Sequence, residues 1–185
     1  MGKTYETLRS ILDELDSILK QLDEQQVDAL VEAILKARRI LTFALGREGL
    51  AIRGFTMRLM HLGFDVHAVF DVTAPPIGPG DIFLCALGPG YLATTEGLIN
   101  IAHKAGAKVV MVTAEPQGQT ARKADQLVVI PAQTMAKTEG SASKQAMGSA
   151  FEQALWLLFD ALVPRLMAET GQTLADLRAR HANLE

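Results

Sequence analysis

The chain has 185 residues, enough to bury a core without disulfides or metal staples, and its single cysteine, Cys85, has no intrachain partner. A net charge of -3 carries no basic footprint for nucleic acid, and no tract approaches the roughly 18 apolar residues of a membrane span. The opening MGKTYETLRS lacks the apolar run of a secretory signal, so a cytoplasmic protein without a membrane segment is expected.

Leu8, Ile11, Leu12, Leu15, Ile18, Leu19 and Leu22 recur at three- and four-residue steps and predict a helix over 4–22 with one apolar stripe. That stripe either packs on its own domain or docks on another subunit. Asp23 followed by Gln26 has capping-box spacing, and a second helix follows to about Ala37. Strands are predicted at 40–45, 66–70, 82–87, 109–113 and 127–130, with helices at 48–62, 93–105 and, briefly, 120–124. Cys85 falls inside the third strand and reads as a small buried hydrophobe. The run 72–80, with Pro75, Pro76, Gly78, Pro79 and Gly80, is a loop.

After Pro131 the pattern lapses into a polar stretch, 132–147, which is either a working loop or a linker. A helix apolar on nearly every side follows over 149–167, and Pro164 predicts a kink or an early end to it. Thr173 caps a last short helix. Strands alternating with helices over short links make this an α/β protein with a doubly wound, five-stranded parallel sheet in a three-layer α/β/α domain. One domain is expected: N-terminal helices over 1–37, the sheet core over 38–131, a loop over 132–147 and C-terminal helices over 148–185.

The stretch DIFLCALGPGYLATT, residues 81–95, feeds the third strand into a helix through a glycine turn. In an open parallel sheet, ligands bind past the carboxyl ends of strands, where helix N-terminal N–H groups attract anions. Gly88, Gly90, Tyr91, Leu92, Thr94 and Thr95 are therefore candidate ligand-binding residues.

Four blocks in order, GREGLAIRGFTMRLMHLGFDVHAV (46–69), PPIGPGDIFLCALGPG (75–90), MGSAFEQALWLLFDALVPRLM (147–167) and the tail RHANLE, resemble the SIS (sugar isomerase) domain family and within it the 6-phospho-3-hexuloisomerases. The resemblance covers nearly the whole chain. It implies a flavodoxin-like strand order, a homotetramer with sites between subunits, and no metal or nucleotide cofactor. It also implies interconversion of a 3-ketohexose 6-phosphate with fructose 6-phosphate through an enediol, which needs a base to move a proton between adjacent carbons.

Glu152 matches the base proposed in that family; by spacing alone, Ser149 to Glu152 reads as a capping box, S-x-x-E. His61 matches a histidine proposed to reach a neighbouring subunit's site and assist ring opening; by position alone it is a charge at a helix C-terminus or a packed ring. His67 and His103 read as surface residues and His181, in the tail, as near an interface; none shows metal-ligand spacing with the others.

The chain departs from the family at two places. Relatives carry SGSGET or close to it where this chain has Leu87 to Leu92, so three hydroxyls are missing at Leu87, Pro89 and Leu92. Relatives also carry GRSG where this chain has Gly46, Arg47, Glu48 and Gly49; the resemblance makes Gly46, Arg47 and Glu48 ligand-binding candidates, with Arg47 keeping its donors for an anion, while the Glu48 carboxylate complements its helix N-terminus, repels a phosphate or binds a sugar hydroxyl. Three readings follow: a phosphosugar isomerase with an altered phosphate pocket; a sugar-derivative binding protein with an altered or lost phosphate site and no isomerase activity; and a dinucleotide site, since Gly88 to Ala93 fits G-x-G-x-x-A with Glu115 after the next strand. Against the last, Pro89 lacks an N–H and that fingerprint normally follows the first strand of its unit.

Overall fold

The computed structural model describes residues 2–136 and 143–184. Two helices come first, α1 (Lys3–Leu19) and α2 (Glu24–Lys36). The alternation then runs β1 (Ile40–Phe43), α3 (Gly46–His61), β2 (Val66–Ala68), β3 (Ile82–Ala86), α4 (Ala93–Lys104), β4 (Lys108–Thr113), a 3-10 turn at Ala121–Lys123 and β5 (Gln126–Val129). Two further helices, α5 (Ser149–Thr170) and α6 (Leu174–Ala179), follow. All five strands are parallel, in the order β2-β1-β3-β4-β5, which is the doubly wound, flavodoxin-like α/β sheet expected.

The central strand shows why both faces must be covered. Along β3, Ile82, Leu84 and Ala86 enter one core while Phe83 and Cys85 enter the other, because side chains alternate across a sheet. The first core is roofed by α2, α3 and α5, and the rings of Phe55 and Phe159 stack 4.4 Å apart to tie α3 to α5. The second is roofed by α4 through Ile99 and Ala102. Each large apolar side chain buried this way contributes about 1.5–3 kcal/mol, and that burial makes the sheet rigid enough to aim loops at its edge.

Several expectations are corrected. Pro164 does not end its helix, which runs on to Thr170; the ring and the carbonyl it leaves unpaired, that of Asp160, both lie on the exposed side, where water can take the carbonyl. Asp23 caps α2 through Gln25 N–H, but Gln26 does not complete the box: its side-chain oxygen accepts from Val129 N–H on the edge strand β5. Thr173 does cap α6, in a reciprocal capping box with Asp176. Strand β1 stops at Phe43 and α3 begins at Gly46, two residues earlier than expected, while β2 closes at Ala68 before Phe70 turns to a positive φ of 73°.

The stripe of α1 divides. Leu15 and Ile18 are buried in the first core, whereas Tyr5, Leu8 and Leu12 remain about half exposed. The outer faces of α3 and α5 likewise present Leu50, Met57, Trp156 and Leu157. Among the described residues, no helix is long and apolar enough to cross a membrane.

Candidate active site

Strand order reverses between β1 and β3, so the chain leaving β1 into α3 and the chain leaving β3 toward α4 open a crevice between them. Helix α3 starts at the rim and carries Arg47 and Glu48 in its first turn. Residues 87–92 form the opposite rim. The third side comes from the start of α5, where Met147 and Gly148 adopt left-handed φ values of 56° and 80° and swing the chain into the helix. Only glycine fits at 148, where a Cβ would lie 2.9 Å from Met135 N.

A cavity of about 570 Å³ lies among these three edges. Its polar side is Arg47, Glu48 and Glu152; its apolar side includes Leu87, Pro89, Leu92, Met135 and Met147. The hydroxyl of Thr134, on the same wall, is buried without a hydrogen-bond partner.

Arg47 donates from Nε to Glu152 Oε2, a charge-assisted bond between α3 and α5. The Glu152 side chain is 18% exposed and that of Arg47 64%, so the pair is anchored on the cavity side and open to water on the other. The capping-box spacing at Ser149 is not realised. The N-cap of α5 is Gly148, the Ser149 hydroxyl donates to the Ala146 carbonyl, and Glu152 is left to turn toward Arg47.

Glu48 takes a different partner. Both of its carboxylate oxygens accept from Gly88 N–H, each at 3.1 Å. Burial raises its pKa to about 7; the Gly88 bond works against that rise, and the negative charge of Glu152 adds to it. The approach is so close that a Cβ on residue 88 would stand 2.8 Å from Glu48 Oε1 and 2.9 Å from the Phe151 ring.

Two further N–H groups of the glycine turn are engaged inside the protein. Gly90 N–H donates to the Leu87 carbonyl at 3.2 Å, and Leu92 N–H to the Thr120 hydroxyl at 3.2 Å. Tyr91 and Thr94 are exposed and Thr95 is buried, and none of the three lines the cavity. Thus the structure brings together Gly46, Arg47, Glu48, Gly88, Leu92 and Glu152, and leaves Gly90, Tyr91, Thr94 and Thr95 off the cavity wall.

His61 lies at the opposite end of α3, fifteen residues and roughly 20 Å from Gly46. It is 2% exposed, its ring stacks on that of His181 with centroids 5.2 Å apart, and its carbonyl accepts from Arg180 at 2.8 Å. His67 and His103 are partly exposed and lie beside Asp65 and Asp125. The wall formed by Thr134, Met135 and Met147 was not singled out residue by residue from sequence; its only signal was the lapse of periodicity over 132–147.

A family model described as the SIS domain matches residues 33–157. The chain belongs to the SIS domain family. The 3-hexulose-6-phosphate isomerase of Bacillus subtilis is 35% identical to this SIS protein over 187 residues, covering 99% of this chain and 100% of that one. That of Mycobacterium gastri is 37% identical over 181 residues, covering 96% and 89%. Among solved structures, a Methanococcus jannaschii protein whose structure infers a molecular function of 3-hexulose-6-phosphate isomerase superposes with a TM-score of 0.85 at 27% identity, covering 97% of this chain and 99% of that one.

Proposed function

We propose that this SIS protein is a phosphosugar isomerase that interconverts 3-hexulose 6-phosphate and fructose 6-phosphate. The observation that carries the reading is Glu152, a carboxylate held by Arg47 on the wall of the cavity at the sheet's switch point, in a chain similar end to end to two named isomerases. In the open-chain ketose, the Glu152 carboxylate takes the proton from C2 while O3 gains a proton to give the 2,3-enediol; the same group then returns its proton to C3 as O2 gives up its own and becomes the carbonyl, so that the net transfer between the oxygens, O2 to O3, passes through water. Arg47 orients that carboxylate. The buried hydroxyl of Thr134 is a ready partner for a sugar hydroxyl. No step draws on a metal or a nucleotide.

The reading includes a homotetramer working in the cytoplasm, with His61 of one copy serving another copy's site during ring opening. The half-exposed Tyr5, Leu8 and Leu12 on α1, and Leu50, Met57, Trp156 and Leu157 on α3 and α5, supply apolar surface for such contacts. Within one chain, His61 is too far along α3 to touch the cavity beside Glu152 and is covered by His181, so its role depends on an assembly that also uncovers the ring.

The test is a coupled assay with 3-hexulose 6-phosphate on protein whose assembly has been measured by sedimentation. Conversion to fructose 6-phosphate that is lost in Glu152→Gln supports the reading. A well-folded tetramer without turnover removes it.

A further inference from the structure

The cavity's donors are arranged as if an anion were already bound. Gly88 N–H points at a carboxylate belonging to the protein itself, the N–H groups of Gly90 and Leu92 are held by the Leu87 carbonyl and the Thr120 hydroxyl, and residues 87, 89 and 92 offer no hydroxyl. We propose that Glu48 is the site's built-in anion: a phosphate-bearing ligand enters by displacing its carboxylate from Gly88 N–H, and the complex takes up one proton as it does so. The inference rests on the isomerase reading and adds how that site admits its substrate.

Steric limits come first. The Gly88 N–H is covered by both carboxylate oxygens of Glu48, each at 3.1 Å, and the Phe151 ring packs against the same glycine. A carboxylate and a phosphate oxygen cannot share that N–H. Glu48 must rotate away, and three side-chain torsions allow that.

Charge then requires the proton. Helix α5 presents Glu152 to Glu48, β3 presents the neutral thiol of Cys85, and α3 itself presents Arg47, which is already paired with Glu152. Residues 87–92 bring no charge, and the described part of the 134–148 wall lines the cavity with Thr134, Met135, Ala146, Met147 and Gly148, none of them charged. Among the described residues that line the cavity Arg47 is the cation, and its single positive charge already answers Glu152; a displaced Glu48 beside a dianionic phosphate is left uncompensated, and like charges so placed in a partly dry cavity repel strongly. A proton on Glu48 removes one of them. With its pKa near 7, the group can take that proton in neutral solution. Binding should tighten as pH falls from about 8 to 7, by at most tenfold per unit, until the phosphate's own second ionisation near pH 6 intervenes.

The experiment is titration calorimetry of the intact protein with fructose 6-phosphate at pH 8, in two buffers that differ in ionisation enthalpy, on wild type, Glu48→Gln and Glu48→Ser. Uptake of close to one proton by the wild type and of nearly none by either variant, together with roughly tenfold tighter binding by the variants, supports the proposal. The serine variant keeps the test intact if glutamine compromises folding. Binding without proton uptake by a wild type that still isomerises overturns this proposal and leaves the isomerase reading standing. Neither binding nor turnover in any of the three proteins removes both.

Discussion

Two walls of one cavity have handled polarity in opposite ways. The wall made by α3 and α5 gathers charge, with Arg47 bridging to Glu152 and Glu48 beside them, whereas the β3–α4 turn contributes the apolar Leu87, Pro89 and Leu92 and holds the N–H groups of Gly88, Gly90 and Leu92 on internal acceptors. The same scaffold supplies both, since helix N-termini and strand ends meet at the switch point. A backbone turn binds anions only while its donors are uncommitted, and one side chain from a neighbouring helix is enough to commit Gly88.

The sharpest way to test this division is to remove charge from the first wall. Glu152→Gln keeps the shape and one acceptor but no base, and turnover should fall at least a thousandfold, about 4 kcal/mol of barrier, with the fold intact by circular dichroism. A residual activity above a tenth of wild type would mean that the base lies elsewhere.

Next comes Glu48, whose effect should depend on pH. Its folded pKa, about 7, lies above the ordinary value of 4.5, so the protonated form is the one the fold favours. Its stabilising contribution is complete below about pH 4.5 and is lost as pH rises through 7. Denaturant unfolding of Glu48→Gln should therefore match wild type near pH 4.5 and exceed it by on the order of 3 kcal/mol at pH 8.5. A difference independent of pH would show that folding leaves the Glu48 pKa at its ordinary value.

Restoring polarity to the second wall should matter less. Pro89→Ser with Leu92→Thr returns two hydroxyls and one N–H, and fructose 6-phosphate should bind roughly tenfold more tightly, the worth of one or two net hydrogen bonds. Unchanged affinity in calorimetry would place the phosphate away from this turn. The smallest effect belongs to Ser149, which is not an N-cap. Ser149→Ala should cost under about 0.5 kcal/mol in thermal unfolding, against about 1 kcal/mol for Thr173→Ala, where the capping box is formed.

These cases also show what a sequence can carry. The sheet was legible because β3 is apolar on both faces and the helices repeat at their own period, signals that stay within a short window. The glycine turn was legible as a crevice wall because ligands bind past strand ends, whereas Arg47, Glu48 and Glu152 were legible as site residues only through the family resemblance. The Gly88–Glu48 bond was not, since it joins residues forty positions apart through a side-chain rotamer. Pro164 left an early end open because its cost depends on whether the orphaned carbonyl faces water, and periodicity in so uniformly apolar a helix does not say which side is outside. Ser149 misled because its spacing fits a cap, while Gly148 takes the position first.

Cys85, the chain's lone thiol, sits at zero exposure in the middle of the sheet, and burial with the nearby Glu48 charge holds its pKa far above the ordinary thiol range. An alkylating reagent will therefore mark only those molecules whose central strand has momentarily come apart. Marking under native conditions clocks that opening, and a slower clock in the presence of a sugar phosphate would report occupancy of the neighbouring crevice with no dye or tag attached.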